Sequence, residues 1–388
     1  MTVELGPGAP RSLYVHVPFC GRRCPYCDFS IHVGGDQLQE RFTKAVVQEL
    51  RGLPSDGPPL ETIYFGGGTP SRLLPGRLAE LLAAVHSRFR VASDAEVTME
   101  ANPEDVTVAQ ARGWSELGFN RLSIGVQSLD DRALAWLGRG HDAAQAEAAV
   151  EAAREAGFAN LSCDLIYAVP GQTTGVLERG LRRLLAHHPD HISCYELTVE
   201  EGTPLQRDIR AGRLPAPKVD DFLEQRRMLG GVLGEAGLEL YEVSNYARPG
   251  RQSRHNLTYW QGRAYFAVGP GAHGFLGAAE GARCGLEPQG AAVRYWHLRD
   301  TATYIRAIEA GRVGWRGHEW LGEPTLAMER LACGLRLSAG TKVTSPEQLR
   351  RAHELGRLGL LAIEGHRVRA TPRGFEVLDR ITLELISA

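Results

Sequence analysis

Short β-rich runs alternate with amphipathic segments from residue 13 to about residue 200 of the 388-residue chain. The runs are LYVHV, TIYFGG, EVTMEA, RLSIGV, LSCDLIYAV and HISCYEL. Between them lie segments such as Gln37–Leu50, Gly76–Arg88 and Ala143–Ala156, with apolar residues at helical spacing. Six β-then-α units in succession predict an α/β fold, a parallel sheet with right-handed crossovers. Residues with chemical potential fall repeatedly where these strands end: a cysteine loop, then GGGTPS, Glu100, Gln127 and Asp164. Barrel active sites sit at that face, so the expectation is a rolled, partial (β/α)6 TIM-type barrel rather than a flat doubly wound sheet.

Downstream the pattern loosens. DIRAGRLPAPK (Asp208–Lys218) reads as a loop, followed by a helix over Asp220–Ala236. Residues 241–300 are rich in Gly, Tyr, Trp and His with little periodicity. From about Trp320 the chain returns to helix, and LGLLAIEGHRVRATPRGFEVLDRI reads as strand, tight turn at Gly365, strand, then helix, like the wing of a winged-helix module. The expected division is a barrel over 1–205, an accessory α/β segment over 206–310, and a smaller winged-helix-like C-terminal domain over 311–388.

Composition narrows the function classes. An apolar content of 43% supports a sizeable core, and a net charge of −2 gives no general pull toward nucleic acid. Residues 340–388 hold eight Lys/Arg against six Asp/Glu, too balanced for a DNA-reading face. MTVELGPGAPRS has no apolar leader region and no run of 18 apolar residues occurs, so a cytoplasmic protein without a membrane span is expected. In that compartment clustered thiols point to metal or catalysis. Cys163, Cys194, Cys284 and Cys333 stand singly and read as small hydrophobes.

The cluster is YVHVPFCGRRCPYCDFS, with C-x3-C-x2-C at Cys20, Cys24 and Cys27. A structural zinc site wants four protein ligands, and no second C-x2-C follows. Three thiolates on a [4Fe–4S] cube leave one iron open to an exogenous ligand. Such an iron suits the amino and carboxylate groups of S-adenosylmethionine, whose sulfonium one electron cleaves to a 5′-deoxyadenosyl radical. His16 lies within a strand and reads as a satisfied polar residue rather than a fourth ligand. GPGAHG (Gly269–Gly274) matches G-x-G-x-x-G but holds Pro270 and lacks the strand–turn–helix context, so it is rejected as a dinucleotide site.

With Tyr26 before the last cysteine, the pattern resembles the radical-SAM superfamily. YVHVPFC, GGGTPS, NRLSIGVQSL, DLIYAVPGQT and GPGAHG together resemble its group of HemN-type oxygen-independent coproporphyrinogen III oxidases and HemW-type haem chaperones. The oxidase type has a further cysteine at the position of Phe29, whereas HNLTYW (His255–Trp260) matches the H-N-x-x-Y-W string of the HemW type. The resemblance therefore implies a radical-SAM barrel whose [4Fe–4S] cluster is held by Cys20, Cys24 and Cys27. It implies an S-adenosylmethionine site lined by Tyr14, Gly67, Gly68, Thr69, Glu100, Gln127, Arg139 and Asp164, with Thr198 a looser match. Ala168 stands where the familiar pattern has glycine.

For haem, the resemblance implies a site at His255, Tyr259 and Trp260. Imidazole is a standard axial ligand of haem iron and the two aromatic faces suit porphyrin packing. The residues alone also allow His255 and Asn256 to be hydrogen-bonding members of an aromatic-rich loop, and His273 lies near enough to be the ligand instead. The functional expectation is a haem chaperone, with no catalytic residue assigned, serving acceptors such as respiratory haem enzymes. The alternatives are a coproporphyrinogen III oxidase or a HemN-like methyltransferase. Peripheral membrane association and oligomeric state stay open.

Overall fold

The computed structural model describes residues 7–34 and 36–388; the stretch read for a leader begins outside them. Among the described residues nine strands form the main sheet. They are β1 (Ser12–Val17), β2 (Leu60–Gly67), β3 (Val91–Ala101), β4 (Arg121–Gln127), β5 (Leu161–Tyr167), β6 (His191–Glu196), β7 (Glu239–Glu242), β8 (Asn245–Ala247) and β9 (Phe266–Val268). Their order is β9-β1-β2-β3-β4-β5-β6-β8-β7. β1 to β6 and β9 run parallel, while β8 and β7 turn antiparallel at the far edge. The six expected strands are thus the six central ones, and the sheet stays open between β9 and β7.

The crossovers are α1 (Asp36–Gly52), α2 (Pro75–Arg88), α3 (Val108–Glu116), α4 (Ala143–Glu155) and α5 (Thr174–Ala186), with α6 (Val219–Glu235) following β6. Each buries an apolar stripe on the outside of the sheet, as with Phe42, Val46 and Leu50 of α1 or Leu177, Leu181 and Leu184 of α5. The strands supply the matching residues at every second position: Leu13, Val15 and Val17; Ile63 and Phe65; Val97 and Met99; Leu122 and Ile124; Leu161 and Cys163. The intervening positions are polar. Ser12, Tyr14 and His16, then Thr62 and Tyr64, Glu96, Thr98 and Glu100, Arg121 and Ser123, Ser162 and Asp164, and His191 and Ser193 face the other side. The rolled sheet therefore has an apolar exterior under helices and a polar interior. Cys163 and Cys194 lie in the apolar layer, as expected of lone cysteines.

Two segments differ from the expectation. The stretch taken as a loop from Asp208 begins inside a helix, Pro204–Arg210, because Thr203 caps Gln206 N–H and Pro204 occupies the first turn. Leu205 of that turn is buried and its N–H donates to the Pro25 carbonyl at 2.9 Å, tying it to the cysteine loop. HNLTYW is no loop: it forms α7 (Arg254–Trp260), capped by Ser253. The wing prediction holds. Leu361–Glu364 and Arg367–Ala370 pair antiparallel around Gly365, whose φ of 61° suits the turn, and a cluster including Leu335, Val368, Phe375 and Ile381 packs beneath them.

GPGAHG leads into a strand, His273–Gly277, as its rejection required. Its position is set by a buried carboxylate on α1. Glu49 accepts from Gly269 N–H at 3.0 Å, from the Tyr304 hydroxyl at 2.6 Å and from His297 Nε2 at 2.7 Å. Burial alone would raise its pKa, but these partners hold the carboxyl below its ordinary 4.5. A depressed pKa contributes stability above pH 4.5 that is lost as pH falls through the folded value. Glu49→Gln is expected to cost about 2–4 kcal/mol at pH 7. In denaturant titrations the gap to the parent should close below pH 4.5.

Candidate functional site

The polar interior opens at the C-terminal ends of β1 to β6 into a cavity of about 660 Å³. Cys20, Cys24 and Cys27 stand at its mouth, in the loop after β1. The Cys20 sulfur lies 3.4 Å from the Thr69 hydroxyl, and Arg139 Nη1 donates to the Cys24 sulfur at 3.6 Å. Burial pushes the Cys20 thiol up to about 11, with Cys27 and Cys24 adding to the effect, so ligation there releases protons. Among the described residues no three His, Cys, Asp or Glu side chains converge as a single-ion site. A cube takes its thiolates on separate irons, so the loop need not draw them to one point.

His16 does not join them. Its Nε2 lies 2.8 Å from the Ser30 carbonyl and its Nδ1 3.1 Å from the Tyr14 hydroxyl, and burial lowers its pKa to about 4. The neutral ring donates to Ser30 and accepts from Tyr14, so it pins the far end of the cysteine loop. The same ring explains the second strand's glycines. Gly67 has φ of 111°, and a Cβ there would sit against the imidazole of His16; one on Gly68 would meet the Pro18 carbonyl. Two residues without side chains thus let the chain run close past His16 and Pro18 at the cavity wall.

Glu100 and Asp164 face each other across the interior. Glu100 accepts from Tyr64 at 2.7 Å and from Gly67 N–H at 3.0 Å; Asp164 accepts from Ser193 at 2.7 Å and from Ser123 at 3.3 Å. Burial raises both, Glu100 to about 7. Arg139 crosses from the cysteine loop to the sheet, donating to Asn102 at 2.7 Å and to the Gly125 carbonyl at 3.2 Å. Gln127 lines the cavity with φ of 62°, a left-handed conformation costly for a non-glycine residue and characteristic of functional sites. Thr198 lines the rim. Tyr14, Gly67, Gly68, Thr69, Glu100, Gln127, Arg139 and Asp164 are thereby gathered on one surface with the three cysteines.

Helix α7 forms the floor of the same cavity, although sequence alone treats it as a separate ligand set. Glu96 accepts from the N–H groups of Arg254 and His255 at 3.1 Å, seating the helix across β1 to β3. His255 and Tyr259, four residues apart, share the face toward the cavity. The His255 ring stacks on Tyr64 with centroids 5.0 Å apart, and burial with Arg121 nearby lowers its pKa to about 3. Its Nδ1 lies 2.7 Å from the Thr62 hydroxyl and its Nε2 2.8 Å from that of Tyr259. Trp260, one residue further, points elsewhere: Arg336 lies over its ring at 5.6 Å, and it is not among the cavity's lining residues. His273 stands apart on its strand, beside Trp296.

Sequence reasoning missed Tyr64, Asn102, Arg121, Ser123, His191, Ser193 and Tyr241, which also line the cavity, while Asn256, named as a hydrogen-bonding residue, donates to the Tyr241 hydroxyl at 3.2 Å. For the strand residues a signal was present, the polar half of a two-residue alternation.

Residues 14–184 match the family described as the Radical SAM superfamily. The heme chaperone HemW of Mycobacterium tuberculosis is 36% identical over 387 residues, covering 98% of this chain and 96% of that protein. The bovine radical S-adenosyl methionine domain-containing protein 1, mitochondrial, is 36% identical over 402 residues, covering 98% and 88%. Among solved structures, the coproporphyrinogen III oxidase HemN of Escherichia coli superposes with a TM-score of 0.81 at 21% identity, over 99% of this chain and 92% of that one. That likeness is one of fold.

The raised pKa of Glu100 has a measurable consequence. Folding holds its proton from 4.5 up to about 7, so it costs stability progressively across that window and fully above it. Glu100→Gln should unfold like the parent near pH 4.5. At pH 8 it should be more stable by about 1–3 kcal/mol in ligand-free denaturation curves.

Proposed function

Since the chain belongs to the HemW group of the radical SAM superfamily, we propose that it is a haem chaperone, holding a [4Fe–4S] cluster, S-adenosylmethionine and haem and delivering haem to acceptors such as respiratory haem enzymes. The observation that carries this reading is the shared cavity: the cysteine loop at its mouth and the HNLTYW helix at its floor face one space. A cluster with one open iron supplies an electron to the sulfonium of S-adenosylmethionine when both are bound. The chain's own residues do the holding. Gly67 and Gly68, having no side chains, leave room at the wall for the methionyl end, Glu100 offers a carboxylate to an ammonium or a ribose hydroxyl, and Asp164 offers a second. Arg139 and Thr69 donate to sulfurs, which tunes a cluster's potential.

His255 is the proposed ligand of haem iron through Nε2. Its Nδ1 bond to Thr62 then fixes ring orientation, the arrangement metal-binding imidazoles favour, and Tyr259 must yield the position it now occupies. Tyr14 and Tyr64 continue the aromatic wall beside it. Trp260 serves the opposite face, against Arg336, and supports the helix rather than the ligand. Phe29, 60% exposed at the cavity mouth, stands where the oxidase type carries its additional cysteine. Among the described residues no helix is long and apolar enough to cross a membrane.

Anaerobic purification with iron, sulfide, S-adenosylmethionine and haem quantified on one sample tests the reading. About four irons and four sulfides per chain are expected, lost on Cys→Ala at position 20, 24 or 27 and kept in Cys163→Ala. Stoichiometric zinc in their place would overturn it. His255→Ala should abolish or shift the haem Soret band while iron and sulfide stay constant; a protein with no haem affinity is not a haem chaperone. Incubation with coproporphyrinogen III, reductant and S-adenosylmethionine should yield no protoporphyrinogen IX, and turnover would instead establish the oxidase.

A further inference from the structure

We propose that Arg121 anchors a carboxylate of the bound ligand at the floor of the barrel cavity. Arg121 opens β4 and is 2% exposed, yet it lines the cavity. Its strand pairing opposite Thr98, with Ser123 opposite Glu100, places it one inward-facing position deeper than the Glu100 level. Among the described residues its guanidinium makes no hydrogen bond and no ion pair, and its Nε is buried without a partner. Arg139, another guanidinium lining the cavity, differs: it reaches Cys24, Asn102 and the Gly125 carbonyl.

A desolvated guanidinium without a partner is costly, and a protein offsets that cost only when something occupies the fork. Nearby carboxylates do not fill it. Glu100 is bound to Tyr64 and Gly67, and Asp164 to Ser193 and Ser123. Both stay raised by burial although the Arg121 charge opposes the shift. The same charge lowers His191 and His255 beyond burial, so all these groups surround it. Tyr241 and Asn256, bonded to each other at 3.2 Å, line the same space. A planar fork that lines the cavity and is not taken up by these carboxyls matches a ligand carboxylate in two-point contact.

The ligand carboxylate with this chemistry is a haem propionate, since the methionyl carboxylate of S-adenosylmethionine is taken up at the open iron by the cavity mouth. The inference rests on the function proposed above. The test titrates cluster-loaded parent, Arg121→Gln and Arg121→Lys with S-adenosylmethionine, with haem and with haem dimethyl ester. Arg121→Gln should lose about 10- to 100-fold in affinity for haem, with Lys recovering part, and keep its affinity for S-adenosylmethionine. The parent should prefer haem over its ester and Arg121→Gln should not. A fall in S-adenosylmethionine affinity alone would overturn the proposal. A parent that binds no haem ends the chaperone reading itself, whereas a parent that binds haem and its ester equally ends only this inference.

A second measurement separates binding from architecture. The ligand-free Arg121→Met protein should unfold at an unchanged or higher temperature, because an uncompensated cation has been removed. Unchanged affinities in Arg121→Gln, or a lower unfolding temperature in Arg121→Met with ligand binding intact, would assign Arg121 to balancing the interior carboxylates and overturn the proposal.

Discussion

A parallel sheet covered by helices on one side and rolled on the other must satisfy every polar group on its inner face without bulk water. Here the inner face is almost wholly polar, so the interior is a network: Ser12 with Thr258, Thr62 with His255, Ser162 with His191, His191 with Tyr241. Most members find one another. Burial raises the carboxyls of Glu100 and Asp164 above their ordinary range, and Arg121 is left without a hydrogen bond. An interior of this kind is arranged for a polar guest.

The mouth of the cavity obeys a second constraint, close approach of backbones. His16 fills the space a side chain on Gly67 would need, and Gly67 N–H in turn reaches Glu100. Cysteine loop, glycine turn and strand-end carboxylate are thus one unit, linked through His16, Ser30 and Tyr14. The left-handed Gln127 and the register shift preceding it belong to the same rim, where β4 bends away from β5.

Much of this was legible in the sequence because parallel β/α units are long enough to carry a period. Strands such as RLSIGV and helices such as Ala143–Glu155 lie where their patterns place them, and Gly67, Glu100 and Asp164, singled out as strand-end residues, line one cavity. The HNLTYW helix was different. Seven residues give too few turns to show a face, and its seat depends on Thr62 and Glu96, far away in the chain. Trp260 lies off the cavity for the same reason: adjacency in sequence is not adjacency on a helix, and His255 and Tyr259 share the side that Trp260 does not. Arg121 escaped notice because a buried arginine has no local signature; its isolation exists only once the sheet is rolled.

The edge of the sheet carries one further consequence. β1, made before the other strands of this sheet, has β2 on one side and β9 on the other, with Leu13 to Val15 paired to Phe266 to Val268. Until that late segment is made, one flank of β1 is an open row of amides and carbonyls beside the unloaded cysteine loop. Until β9 is made the nascent barrel is therefore exposed to strand addition by other chains. Its maturation depends on the order in which the chain appears as much as on the contacts it finally makes.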